Sequence, residues 1–282
     1  RKIVVFEYLY LNDVLLASHT DIKDDNQTLY IPDIKTTIQD GENGSHSSTA
    51  DEEITLVDTV TYKGLEIGRT YSIEGTLVEK NTGAYILDDA GNKITASTEF
   101  TAKKANGTVD VVFKFSGASM AGKIVVAYER LYTEGIEVAA HTNMRDEGQT
   151  QYIPSVHTTA IAKDTQDHVT GATEDVVITD EVVLEGLKAG VEYVLRGTLM
   201  NAETGQAVII NARTVTAERT FTANANKMTI PLTYALNASE LAGTTTVVFE
   251  SLYSDGIPLV SHADLTDAEQ TVYIPKIRTT AK

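Results

Sequence analysis

Five residue types recur in this chain in a fixed order: a threonine, an aspartate, a glutamate, a histidine and a glutamine. In one stretch they are Thr36, Asp58, Glu129, His141 and Gln149; in the next they are Thr158, Asp180, Glu250, His262 and Gln270. The aspartate follows its threonine by 22 residues in both sets, the glutamate precedes its histidine by 12, and the histidine precedes its glutamine by 8. Glu7, His19 and Gln27 form a partial set with the same last two offsets, and Thr279 stands alone. In each complete set the threonine, aspartate, glutamate and glutamine fall on an apolar strand face when residues are counted in twos. Asp58 shares a face with Leu56 and Val60, Glu129 with Val125, Ala127 and Leu131, Thr36 with Ile34 and Ile38, and Gln149 with Ile153. The second set repeats this, with Asp180 between Ile178 and Val182 and Glu250 between Val248 and Leu252. Burying such groups is costly unless they satisfy one another.

Together these groups can make a bond. Threonine is a nucleophile that needs a base, and histidine is the natural base near neutral pH. Glutamine offers an electrophilic carboxamide whose leaving group is ammonia. A buried carboxylic acid, kept protonated by desolvation, can donate a hydrogen bond to the developing oxyanion, and a second carboxylate can orient the imidazole. Glu129 and Glu250 are expected as the neutral donors, with Asp58 and Asp180 near the Thr–His pair. The product would be an ester between first and last strands of one domain, formed once because the fold holds the groups in contact. Singly, each residue has an ordinary role: β propensity for Thr, a hydrogen-bonded edge position for Asp, a surface position for His. The repetition of the whole set favours a site. The acidic turn at Asp21, Asp24 and Asp25 lacks EF-hand spacing and becomes Asn143 and Arg145 in the middle copy, so no metal and no cofactor are expected.

Three segments place these residues in repeats. They end in TLYIP at Pro32, TQYIP at Pro154 and TVYIP at Pro275, a period of 122 and then 121 residues. A period of that size is a domain, not a solenoid turn. The sequence predicts a C-terminal fragment of an upstream repeat over 1–32, complete repeats over 33–154 and 155–275, and the opening strand of a downstream repeat over 276–282. Within a repeat the signal is β: alternation in Leu56-Asp58-Val60-Tyr62, Ile73-Gly75-Leu77 and Val109-Val111-Phe113-Phe115, with Asn-Thr-Gly and Glu-Thr-Gly turns between runs. Single helical turns are expected near 116–122 and 237–243, and polar loops over 40–51 and 163–175. Short strands in units of this size predict an all-β chain of tandem immunoglobulin-like sandwiches. The 282 residues carry 40 acidic and 23 basic side chains, a net charge of −17, and no cysteine. Disulfides and thiolate metal sites are thereby excluded. An acidic chain without a basic patch argues against nucleic acid, and no apolar run is long enough to span a membrane.

These features resemble the Thr–Gln ester-bond domains, or VaFE repeats, of Gram-positive surface adhesins. The resemblance rests on the opening I/V-x-T-T-x stretch, the V-x-D-x-V strand, the V-V-F-E strand and the H-x-x-x-x-D/E-x-x-Q-T hairpin, and covers essentially the whole chain. It implies CnaB-like sandwiches with an autocatalytic ester joining Thr36 to Gln149, assisted by Asp58, Glu129 and His141. It likewise implies Thr158 joined to Gln270 with Asp180, Glu250 and His262. Two departures, VAYE at 126–129 and Glu181-Val182 in place of Thr59-Val60, leave the reacting groups untouched. Each threonine lies in a doublet; Thr36 and Thr158 are taken over Thr37 and Thr159 because they share the apolar face. Glu7, His19, Gln27 and Thr279 are half-sites expected to stay unbonded unless another chain completes them.

The expected function is a structural stalk segment of an extracellular, cell-wall-anchored adhesin, self-modifying rather than a turnover enzyme. Its expected partners are neighbouring repeats of the same adhesin, with an unknown host ligand bound through another domain. Two alternatives differ in what they require. A Lys–Asn isopeptide sandwich needs a first-strand lysine, but Lys35 becomes His157 and Arg278 in the other copies. A ligand-binding sandwich would use the loops, which differ in length and content between the repeats.

Overall fold

The computed structural model describes residues 1–50 and 53–280. Residue 51 of the polar loop and residues 281–282 of the expected downstream strand lie outside these. The chain divides into two compact units. The first comprises Arg1–His46, Glu53–Ser116 and Val125–Gln151; the second comprises Gly117–Ile124 and the chain from Tyr152 onward, with a short loop beginning at Ser47.

The first unit opens with four short strands, β1 (Lys2–Val4), β2 (Glu7–Leu11), β3 (Val14–His19) and β4 (Thr28–Tyr30). Its body follows as β5 (Asp33–Asp40), β6 (Ile54–Lys63), β7 (Thr70–Glu79), β8 (Thr95–Thr101), β9 (Gly107–Phe115), β10 (Ile124–Thr133), β11 (Ile136–His141) and β12 (Thr150–Tyr152). The body strands form two antiparallel sheets, β5-β6-β9 and β11-β10-β7-β8, with β12 also paired to β10. The second unit repeats this with β13 (Ser155–Ala162), β14 (Val176–Glu185), β15 (Glu192–Asn201), β18 (Thr216–Thr222), β19 (Met228–Leu236), β20 (Thr244–Ser254), β21 (Ile257–His262) and β22 (Thr271–Ile274). Its sheets are β13-β14-β19 and β18-β15-β20-β21, and a small extra hairpin pairs β16 (Ile209–Ile210) with β17 (Arg213–Thr214). Each unit is thus an all-β, immunoglobulin-like sandwich.

Alternation builds the core. Along β5 every second residue is buried, so Ile34, Thr36, Ile38 and Asp40 face inward and Lys35, Thr37 and Gln39 face out. On β6 the inward set is Ile54, Leu56, Asp58, Val60 and Tyr62. Glycine 75 on β7 lies opposite Glu129 on β10 and leaves space that Phe113 of the other sheet fills. Gly197 makes the same allowance for Tyr234.

The hairpin carrying Glu and His has one design in all copies. Its two-residue turns, Asn12-Asp13, Glu134-Gly135 and Asp255-Gly256, have positive φ at both positions, as a type I′ turn requires. One irregularity follows the turn, between Leu131 and Tyr132 in the first unit and between Leu252 and Tyr253 in the second. Turn and bulge together place Glu129 directly opposite His141, Glu250 opposite His262 and Glu7 opposite His19, which explains the constant offset of glutamate and histidine.

In residues 1–32, β2 and β3 are exposed along their whole length. The strand expected over 276–282 is not formed over its described part: 276–280 are irregular and exposed, and pair with no strand among the described residues. A one-turn helix forms at Ser239–Leu241, whereas the corresponding 116–122 segment is a turn.

A Cβ at position 75 would lie 2.5 Å from Phe113 Cζ, and one at position 197 would overlap the Tyr234 hydroxyl oxygen. Gly75→Ala and Gly197→Ala are each expected to destabilise their unit by about 1–3 kcal/mol through overpacking. A lowered guanidinium midpoint is the check, and an unchanged one would show that the aromatic can move aside freely.

Candidate functional site

The five residues of each set converge where the opening strand of the three-stranded sheet meets the Glu–His hairpin of the other sheet. Thr36 comes from β5 and Asp58 from β6, whereas Glu129 and His141 come from β10 and β11. A one-turn helix, Glu147–Gln149, swings Gln149 into the interior. In the first unit the Thr36 hydroxyl donates to Glu129 Oε2 at 3.2 Å. The Gln149 amide nitrogen donates to the same oxygen at 2.8 Å, and also to the carbonyls of Ala127 at 2.8 Å and His141 at 3.3 Å. Three acceptors around that nitrogen fix which end of the carboxamide is which. His141 accepts the Thr36 backbone N–H on Nδ1 at 3.2 Å, while its Nε2 lies 3.0 Å from Asp146 Oδ2. The ring is therefore in the neutral Nε2–H tautomer.

The second unit brings nucleophile and electrophile together directly. The Thr158 hydroxyl donates to Asp180 Oδ1 at 2.6 Å. The Gln270 amide nitrogen donates to Thr158 Oγ1 at 2.9 Å and to Glu250 Oε2 at 2.5 Å. Thr158, Asp180, Glu250 and Gln270 are each at most 1% exposed, so water does not compete for these contacts. Of each threonine doublet, Thr36 and Thr158 are the buried members.

The carboxyls of the two sheets face each other. Asp58 has as neighbours the Glu129 carboxyl, the Thr36 hydroxyl and the Thr37 N–H, none close enough to complete a hydrogen bond to either of its oxygens. Two carboxylates in a dry interior repel, so the pair retains a proton. Burial, reinforced by the facing Asp58, pushes Glu129 well above the carboxylate range. Glu250 is pushed up to about 10 by burial and by Asp180. Burial raises Asp58 and Asp180 less, because each is opposed by its glutamate, its threonine hydroxyl and its histidine. The environments split each pair into a stronger and a weaker acid.

Two features differ from the sequence reading. The glutamate meets the amide nitrogen of glutamine, not the carbonyl oxygen: Gln149 Oε1 and Gln270 Oε1 have no hydrogen-bond partner among the described residues. The imidazole is oriented by a carboxylate other than Asp58 or Asp180. Asp146 holds His141 with one oxygen and caps the Gln149 helix through Gly148 N–H with the other, at 2.9 Å. Asp267 does the same for His262 and the Glu269 N–H, at 2.9 and 2.8 Å. The signal was present in sequence, since an aspartate stands five residues after all three hairpin histidines. In the partial set, Gln27 lies 3.4 Å from Glu7 and His19 lies 2.8 Å from Asp24, with Glu7 and His19 exposed. Thr279 is exposed in the irregular segment.

The T-Q ester bond containing domain matches this chain three times, over 1–31, 32–153 and 154–274. The chain belongs to the T-Q ester bond containing domain family. No curated protein sequence matches it. Among solved structures, these T-Q domains are similar to a bacterial adhesin from Mobiluncus mulieris containing intramolecular disulfide, isopeptide and ester bond cross-links. That likeness has 15% identity, covers 80% of this chain and 81% of that one, and has a TM-score of 0.38. They are also similar to the C-terminal domain of the Streptococcus agalactiae AgI/II polypeptide BspA, at 11% identity over 82% of this chain and 97% of that one, with a TM-score of 0.36.

The raised glutamates make T-Q domain stability depend on pH. Folded Glu250 keeps its proton up to about 10, whereas its unperturbed value is 4.5. Between these values the native state binds more protons than the unfolded chain, so stability is full at the acid end and falls as pH rises. In a Thr36→Ala/Thr158→Ala chain, which cannot form either ester, the denaturation midpoint should fall steadily from about pH 5 to about pH 9. Adding Glu129→Gln and Glu250→Gln should flatten that slope; a slope left intact would place the titration elsewhere.

Proposed function

We propose that each complete unit locks itself with one ester, Thr36 to Gln149 in the first and Thr158 to Gln270 in the second. The observation that carries this reading is the buried chain of contacts from Asp180 through the Thr158 hydroxyl to the Gln270 amide and Glu250. The Thr158 oxygen attacks Cδ of Gln270; the Oγ1–Cδ bond forms, the Cδ–Nε2 bond breaks, and ammonia leaves. Asp180, the stronger acid of its pair, takes the hydroxyl proton. Glu250, protonated and placed at the leaving nitrogen, supplies a proton to it, so the pair ends with the charge it began with. In the first unit a single oxygen, Glu129 Oε2, touches both the Thr36 hydroxyl and the Gln149 amide, and the Asp58–Glu129 pair carries the proton as a unit. His141, steadied by Asp146, accepts the Thr36 backbone N–H and so helps hold the strand that carries the nucleophile.

The reaction consumes its own side chains, so the domain is not a turnover enzyme. Its role is structural: a stalk segment of a bacterial surface adhesin, outside the cell on a Gram-positive wall, in series with further repeats. The host ligand belongs to another part of the adhesin. Family membership and the acidic, cysteine-free composition support this placement.

The intact mass of the denatured chain tests the chemistry. Two esters remove two ammonia molecules, a deficit of about 34 Da. Thr158→Ala should leave about 17 Da, and loss of a clamp that closes a loop of roughly 100 residues should cost its unit about 4–5 kcal/mol. A mass equal to that of the sequence would refute the ester reading.

A further inference from the structure

The two sites differ at one buried position. Phe113 on β9 and Tyr234 on β19 occupy the same place in their sheets, six residues from the first residue of the strand. Each ring crosses the interior to the glycine opposite the reactive-site glutamate: Phe113 to Gly75, which pairs with Glu129, and Tyr234 to Gly197, which pairs with Glu250. Tyr234 therefore carries a hydroxyl into the second site that the first lacks. Among the described residues that buried hydroxyl has no hydrogen-bond partner, and two acceptors of the same site, Asp180 Oδ2 and Glu250 Oε1, also lack one. Within the sheet, Tyr234 pairs with Ile178 on β14, two positions from Asp180 on the same face, a diagonal spacing that long side chains span. A buried phenol O–H left unpaired beside two unpaired carboxyl oxygens is costly, and a small rotation or one bridging water satisfies both sides.

We propose that Tyr234 is a positioning residue of the second site, donating a hydrogen bond to the Asp180–Glu250 carboxyl pair and so giving the two domains different pH windows for self-closure. This rests on the ester reading above and deepens it. A donor to the pair favours its ionised form, so the proton that Glu250 must hold for the leaving nitrogen is lost at lower pH than in a phenylalanine site. The charged and titratable groups around Tyr234 are Asp180 and, on the outward face, Glu181 of β14, Glu250 of β20, His262 of β21 and Asp267 beyond it. Of these, Asp180 and Glu250 act on the phenol itself, and burial and both carboxyls hold its own proton in place. Gly197, the residue of β15 beneath the hydroxyl, brings no charge. The hydroxyl is therefore a fixed donor across the working range.

The test uses the full chain, purified unfolded before closure and refolded by dilution at a series of pH values, with the loss of about 17 Da followed over time. A Thr36→Ala background reports the second site alone, and a Thr158→Ala background the first. Tyr234→Phe should move both limbs of the rate profile at the second site to higher pH by about one unit, and Phe113→Tyr should move those of the first site to lower pH by a similar amount. Both variants should still reach the full deficit. Profiles that superimpose on their parents would overturn the proposal and leave the tyrosine as packing. If Tyr234→Phe does not fold, the Phe113→Tyr arm decides alone. Absence of any deficit in the unsubstituted chain would instead overturn the ester reading, and this inference with it.

Discussion

Two carboxyls pushed against each other in a dry interior are the constraint around which each unit is built. Asp58 and Glu129, or Asp180 and Glu250, arrive from opposite sheets and cannot both be charged at this distance from water. One proton must stay with the pair, and its environment decides where. In the second unit Asp180, beside the threonine hydroxyl, releases its proton more readily than Glu250, beside the amide nitrogen. Under the proposed reaction, a base next to the nucleophile and an acid next to the leaving group follow in that unit from burial and two neighbours. The apolar walls are part of this chemistry, because admitting water would let both groups ionise. That is why the aromatic of the far sheet is seated over a glycine beside the glutamate: the absence of a side chain there lets the ring close the site.

The register of the strands delivers the remaining groups. A type I′ turn and a one-residue bulge bring histidine opposite glutamate, and the next turn of chain is a single helical turn capped by an aspartate. That aspartate divides its two oxygens between the imidazole and the helix that carries glutamine. One residue thereby fixes both the ring and the electrophile relative to the hairpin. The same arrangement survives in residues 1–32, where Asp24 meets His19 and caps the turn before Gln27, although β2 and β3 are exposed there. The hairpin geometry is therefore local, and burial is what the body adds.

Much of this was legible in the sequence because β alternation assigns a face to every residue. Polar residues at Thr36, Asp58, Glu129 and Gln149 stood out as inward, and repetition separated the set from its drifting neighbours. The same logic read the strands and the repeat period. Other features depend on side-chain direction across the sandwich, which periodicity does not encode. Nothing in the spacing says that Glu129 reaches the amide nitrogen and not its oxygen, since both ends of the carboxamide sit at one position. Asp146 was visible as a repeated letter, but its role emerged only when its two oxygens found different partners. Tyr234 and Phe113 hold matching strand positions, and the tyrosine hydroxyl is what sets the second site apart. The strand expected over 276–282 requires a partner strand, and sequence propensity alone does not provide one.

In the proposed state the positions of the linked residues determine how the chain carries load. Thr36 lies near the start of the first complete repeat and Gln149 near its end, and Thr158, where the second clamp begins, is only 9 positions beyond Gln149. Tension entering at Thr36 crosses the first ester, runs through those residues, and crosses the second ester to Gln270. At about 3.5 Å per residue the connecting segment can extend to roughly 30 Å. Without the esters the same path runs over 234 residue steps, and fully unravelled it would span roughly 800 Å. A disulfide could restrict the chain in the same way, but it would yield to reducing agents and this chain has no cysteine. An ester formed from buried side chains has no such dependence on the redox state of its surroundings, and the sandwich that makes it also keeps water from reversing it.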